Sequence, residues 1–302
     1  MIQLLVLAAA LLALPQSSKP ADKPADKSAG SPAAKPAKVA VTYLTAWPAP
    51  ANKEATLTDI EKLCKARTPE MSTQAKDALV GGGAATVPFL LDRLGREKDD
   101  AALKRVREVL LEVTAADQTR LLAKEFDGKA APVRVFCLHR AASFPDAGIR
   151  PAAEASWKRI EKAGDKVDAD ERYAAALCLA SAGSTVGLDI LMDAAKKSWD
   201  KFGVEIRAAL EGVRGPEASK LVADKLEGAD QKQKVAVLHM LAGCGDKSAM
   251  PRVRFFLDDD DNQVRVAAIN ACRGIVDGAP PEEQMPVFEA IESAKKWKER
   301  VW

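Results

Sequence analysis

The sequence predicts an all-α fold, a right-handed α-solenoid of about seven helix pairs that follows a disordered N-terminal linker. Three observations predict it. Hydrophobic residues make up 47% of the chain but aromatic residues only 5%, so the apolar material is mostly Ala, Leu and Val, which suits closely packed helices better than sheets. From Leu57 onward apolar residues recur at helical spacing, beginning with Leu57, Ile60, Leu63 and Cys64. Sliding the chain against itself by 31 residues aligns Leu179, Leu210, Leu241 and Cys272, and likewise Leu226 with Leu257, Ala218 with Ala249 and Gly212 with Gly243.

The elements follow in order. Residues 1–18 read as a signal peptide: the apolar run from Leu4 to Leu14 has the length of a secretory core, with cleavage expected near Ser17 or Ser18. It is shorter than the roughly 20 residues that a membrane-spanning helix needs, and neither Lys nor Arg precedes it. The expected location is outside the cytoplasm, whether periplasmic, envelope-associated or secreted. Residues 19–50 are rich in Pro, Ala, Lys and Ser, with Pro-Ala-Asp-Lys in tandem from Pro20 to Lys27. Such a composition buries too little apolar surface to offset the entropy of ordering, and so predicts a semi-extended basic linker. Five Lys and two Asp fall between positions 19 and 40, which leaves the remainder near neutrality and without the basic footprint of a nucleic-acid binder.

Residues 56–302 carry the repeats. A capping helix near 56–67 is expected, then helix pairs at 72–95, 101–126, 131–163, 170–197, 202–228, 232–258 and 262–298. In one unit Val235, Leu238 and Leu241, then Ala249, Val253 and Leu257, give two short amphipathic helices, with Gly243 and Gly245 at the reversal between them. Helices this short are unstable alone, so stacking on neighbours has to supply the core.

The stretch from Leu241 to Ile275 contains Gly245-Asp246, Ala249-x-Pro251, Leu257-Asp258 and Val264-Arg265-x-Ala267-Ala268-Ile269. It resembles HEAT repeats of the phycobilisome-lyase-like subtype. Weaker units appear at Val133-Arg134, at Arg172-Tyr173-Ala174-Ala175 with Ala182-Gly183, and from Ala84 to Leu94 around Pro88. Two departures stand out: Gly203 occupies the place of Arg172, Lys234 and Arg265, and a longer spacer separates Pro151 from Asp170. The resemblance implies that those basic residues at first-helix starts bond to acidic loop residues such as Asp258 or Asp230. It also implies that second helices line the concave face of the stack, and it is specific for fold rather than function.

Candidate chemistry is sparse. The two histidines, His139 and His239, fall at equivalent positions three repeats apart, roughly 30 Å at ordinary helix spacings, which excludes a shared metal or proton relay. His-Glu-x-x-His is absent. A calcium-binding EF-hand loop starting at Asp258 would need Gly and Glu where Gln263 and Ile269 stand, so Asp258 to Asp261 read as capping carboxylates for the next helix. The five cysteines, Cys64, Cys137, Cys178, Cys244 and Cys272, are scattered without a Cys-x-x-Cys pair and read as small core residues, with one disulfide as the alternative. Gly81-Gly82-Gly83 lacks the Lys of a phosphate loop and reads as a turn.

No catalytic, metal or cofactor site is therefore expected, and the predicted function is a non-enzymatic scaffold or adaptor binding a protein partner outside the cytoplasm. Two alternatives stand beside it: an enzyme or enzyme subunit of the bilin-lyase-like class, which the resemblance implies, and an envelope-associated structural protein whose basic linker contacts the membrane or anionic polymers. The expected contact residues lie on second helices. Phe255 sits about 200° around from Val253 and so leaves the core stripe. Its equivalents one and two units earlier are Asp224 and Asp193, and the neighbouring column includes Arg254 and Met192.

Overall fold

A computed structural model describes residues 41–282 and 284–300. The expected signal peptide and linker residues 19–40 lie outside the described residues. The described chain is all-helical: fifteen α-helices joined by short 3-10 turns, one π-turn and loops, with no strand. The capping helix is α1 (Lys53–Lys65), set by Asn52, whose side chain accepts from the Ala55 amide at 3.0 Å. In chain order come α2 (Pro69–Gly81) and α3 (Val87–Arg96), α4 (Asp100–Val113) and α5 (Thr119–Leu122), α6 (Ala131–Ala142) and α7 (Arg150–Ala163), α8 (Ala169–Ser181) and α9 (Leu188–Lys197). After them come α10 (Trp199–Leu210) and α11 (Pro216–Ala223), α12 (Gln231–Cys244) and α13 (Met250–Phe255), then α14 (Asn262–Cys272) and α15 (Val287–Glu299). Of the expected pairs, α8 with α9 and α14 with α15 pack closely, whereas α3, α5, α7, α11 and α13 pack chiefly on the first helix that follows them.

The first helices of successive pairs pack directly on one another, α6 on α8, α8 on α10, α10 on α12 and α12 on α14. Small side chains permit it. In α8 every residue from Ala174 to Ser181 is buried, four of them alanines, and Ala236, Ala267, Ala268 and Ala271 repeat the device in α12 and α14. Where these helices end, Gly212, Gly243 and Gly274 follow the 31-residue register. A Cβ on Gly212 would overlap the carbonyl oxygens of Ala180 and Ser181, and one on Gly274 would overlap the carbonyl of Ala242. The neighbouring backbones occupy the space that a side chain needs.

Charged residues staple the stack. Glu171 is buried, with Arg134 donating from Nε at 2.7 Å and from Nη2 at 2.8 Å, while Arg159 donates to the same carboxylate. Burial pushes the Glu171 carboxyl up, but the two guanidinium groups outweigh it and hold the pKa below the usual value. The basic column at first-helix starts meets the expected ladder in part: Lys234 reaches an acidic loop residue of the next repeat, while Arg265 and Arg172 do not. Lys234 pairs with Asp259 at 3.1 Å, Arg265 donates to the Asp259 carbonyl at 2.8 Å, and Arg172 donates to the Gly164 carbonyl. Asp258 instead meets Lys298 at 2.7 Å and Asp230 meets Lys196 at 2.6 Å. Arg172 and Arg265 stand over the loop that leads into their own helix and meet its carbonyls, whereas Lys234 reaches the loop before the next first helix and meets a carboxylate. Asp261 caps α14 by accepting from the Gln263 and Val264 amides, at 2.8 and 3.1 Å.

The linker boundary at 50 also moves, because the packed unit begins at Thr42. The Leu44 amide donates to the Asp117 carbonyl at 2.8 Å, the Tyr43 ring lies 3.9 Å from the Arg120 guanidinium, and Trp47 packs against the core. Tyr43, Leu44 and Trp47 supply apolar surface that an averaged Pro-Ala-Lys composition conceals.

The glycine register yields a direct test. Gly274→Ala should destabilise by about 2–3 kcal/mol through overpacking against backbone, whereas Gly81→Ala, with nothing within 4 Å of the added methyl, should leave stability unchanged. Urea melts of the two variants read the difference, and equal midpoints would contradict the close approach.

Candidate partner-binding surfaces

Two surfaces emerge from this packing. One belongs to the second helices. Between α9 and α11 a groove of about 250 Å³ opens, walled by Val186, Leu188 and Met192 on one side and by Leu221, Val222 and Lys225 on the other. Gly187 (φ +83°) shapes the α9 entry: a Cβ there would stand 3.2 Å from Ala176 and 3.3 Å from the Trp157 ring. At the rim Lys225 reaches Asp189 at 3.0 Å, and Thr185 donates to Glu217 at 2.9 Å.

The residues expected to bind a partner divide among three settings. Met192 is 7% exposed and lies against the groove, with exposed Asp193 beside it. Asp224 is tied to Arg252 of the following pair, and Arg254 donates to the Lys298 carbonyl. Phe255 stands 78% exposed and meets Phe256 edge-on at 5.5 Å, while Val253, Phe256 and Leu257 are buried. Met192 therefore shares a surface with Leu221, whereas Phe255 lies outside the groove lining.

The second surface belongs to the first helices. His139 Nε2 lies 2.9 Å from Glu205 Oε2, the Tyr173 hydroxyl donates to Glu205 Oε1 at 2.6 Å, and the Tyr173 and Phe202 rings sit 5.1 Å apart. This contact carries a side chain of α6 across α8 to α10. Further along, the Trp199 ring stacks on His239 at 4.4 Å with an interplanar angle of 6°. Both histidines thus reach α10, at residues six positions apart or about 9 Å of helix rise. Each meets its own partner there, Glu205 for His139 and Trp199 for His239.

The departure at Gly203 now has a cause. A Cβ there would overlap the Trp199 indole, which folds back over its own helix to reach His239. Burial, aided by the charge of Arg207, holds the His239 pKa down to about 4. Glu205 is pushed up by burial, yet hydrogen bonds from His139 and Tyr173 hold it below the usual carboxylate range. Burial and the adjacent Glu205 carboxylate raise the Tyr173 hydroxyl.

Chemically these groups orient one another. Both Glu205 oxygens are engaged, so that carboxylate is committed to its two neighbours. Among the described residues no group of three or more His, Cys, Asp or Glu is placed to hold a metal ion. All five thiols are unpaired and buried, and burial pushes Cys244 and Cys272 up to about 12. The signal for this face was present in the repeat register: Tyr173, Val204, Val235 and Val266 follow one another at 31-residue intervals. Three of them are half-buried, while Val204 is 75% exposed. Comparison of the chain with family models, with curated proteins and with solved structures found no match.

The depressed His239 pKa gives a pH prediction. Between pH 6.5 and about 4 the unfolded chain binds a proton at His239 that the folded chain excludes, so stability falls as pH drops through that window. The loss is on the order of 2–3 kcal/mol. His239→Phe keeps an aromatic ring on Trp199 and has no proton to bind, so its stability should fall less over the same range. Denaturant midpoints at pH 7 and pH 4 for both proteins check it, and parallel losses would contradict a buried neutral imidazole.

Proposed function

We propose that the chain is a HEAT-like α-solenoid acting as a non-enzymatic adaptor that binds a protein partner outside the cytoplasm. The regular alternation of first and second helices, with first helices stacked pair upon pair, supports the solenoid reading. One observation carries the binding role. Along the second helices several charges are neutralised within the chain, as in Lys225 with Asp189 and Arg252 with Asp224. Apolar side chains on or next to the same helices stay open to solvent: Val186, in the turn before α9, at 43%, Leu221 at 46% and Phe255 at 78%. Such a surface recognises shape and apolar character rather than a polyanion. Phe255, Arg254, Asp224, Met192 and Asp193 are the proposed contact residues.

Export rests on the Leu4–Leu14 run. Among the described residues no helix is long and apolar enough to cross a membrane. The basic linker between 19 and 40 would hold the helical unit beside an anionic envelope surface.

Affinity capture from envelope fractions with the full-length chain tests the reading. Leu221→Asp, Phe255→Ser and Asp224→Lys should each reduce recovery of a captured protein about tenfold, the cost of one good interface residue. Their melting temperatures should match the parent, because all three sites are exposed. Full recovery with all three stable variants would overturn the second-helix surface. N-terminal sequencing of the mature chain should begin beyond Leu14, and an intact Met1 on a cytoplasmic protein would overturn export.

A further inference from the structure

The first-helix face already holds a piece of polypeptide. After α14 the chain makes a π-turn at Arg273–Asp277, reverses at Gly278 (φ +62°) and runs without helix to Pro286. That stretch is pinned across α14 through its backbone. The Asn270 side chain, 2% exposed, donates to the Glu282 carbonyl at 3.0 Å and accepts from the Glu282 amide at 2.9 Å. Arg273 donates to the Pro280 carbonyl at 3.2 Å, and Met285 is 8% exposed against the same helix layer. The buried amide engages both the N–H and the C=O of Glu282, and Arg273 adds an ion pair to the Glu282 carboxylate at 2.6 Å.

The same face continues over α12 and α10, where the Trp199 indole stacks on His239 but the Val204 side of α10 stays open. One helical turn before Asn270 lies Val266, and the matching pairs are Val235 with His239 on α12 and Val204 with Ala208 on α10. Val204 is 75% exposed, Ala208 is exposed, and Val235 and His239 are partly so. Beyond them the His139–Glu205–Tyr173 bridge closes the face over α8. By their helical spacing Lys201 and Arg207 share the Val204 face of α10 with one acid, Asp200, and Lys232 shares the Val235 face of α12, so cations outnumber acids there.

We infer that the open stretch over α10 and α12 binds an extended, apolar and acidic segment of a protein partner, in continuity with the chain's own 278–286 segment on α14. The inference rests on the adaptor reading and adds a different face and a form of ligand. Two helix spacings span about 20 Å, which accommodates about six residues of extended chain. The segment on α14 fixes one end of the track and the bridge over α8 the other. The valine column offers one apolar contact about every three residues of the segment, and Lys201, Arg207 and Lys232 favour carboxylates between them.

A phage-displayed library of 12-residue peptides selected on the full-length chain tests this. Selected peptides should be apolar and acidic, should weaken tenfold or more with Val204→Glu, and should keep their affinity with Leu221→Asp. Val204→Glu should retain the parent melting temperature, since the side chain is exposed, and Lys201→Glu provides a second substitution on the same face. Peptides that ignore both α10 variants but are lost with Leu221→Asp would overturn the track and leave the adaptor reading on the second helices. Failure to select any peptide, together with no protein captured by the parent chain, would overturn both.

Discussion

The close approach of successive first helices is the constraint on which the rest depends. Where a carbonyl of α12 fills the space beside Gly274, and carbonyls of α8 fill that beside Gly212, no larger residue fits without backbone movement. The alanines of α8, α12 and α14 extend this approach along the helices. A helix buried on every side loses its amphipathic pattern, as α8 does from Ala174 onward. Thin helices also let long side chains on their neighbours meet, as His139 and Glu205 do across α8. The aromatic and histidine contacts on α10 are a consequence of small residues elsewhere.

Close packing brings helix ends together, and each end leaves carbonyls without helical partners. Arginines satisfy them. Arg105 donates to the Leu63 and Cys64 carbonyls at 2.8 and 2.6 Å, and Arg140 to those of Leu111 and Thr114 at 2.8 and 2.6 Å. Arg214 reaches the carbonyls of Gly245 and Gly274, at 3.2 and 3.1 Å, each from a different later segment. With Arg134 and Arg159 on Glu171 and Lys234 on Asp259 added, these cations of the helical unit serve as internal fastening. That leaves apolar positions such as Leu221, Phe255 and Val204 as the distinctive features of the surface, which fits recognition of a polypeptide better than of a polyanion.

The extended stretches are as much a part of the fold as the helices. Residues 42–50 lie on the second pair through Leu44, Tyr43 and Trp47, and the 278–286 segment lies on the last first helix through Asn270. Neither is visible as a periodic pattern. The first is hidden by the low-complexity composition that precedes it. The second reads as a Pro-rich connection, because the residue that fixes it is one asparagine in an otherwise apolar helix.

By itself the sequence determined the helical class and the approximate limits of the helices, since 3.6-residue periodicity and a 31-residue register are local properties of the chain. It also placed Phe255 outside the core stripe, which helix geometry alone decides. Only tertiary structure decided which helices pack on one another, that Lys234 meets Asp259 and not Asp258, that both histidines touch α10, and that Gly203 makes room for Trp199. Each of these contacts joins residues from different elements, and its partner is chosen by which helices lie within side-chain reach. That choice depends on the approach distance between backbones, which the glycine and alanine positions permit but whose direction no local pattern encodes.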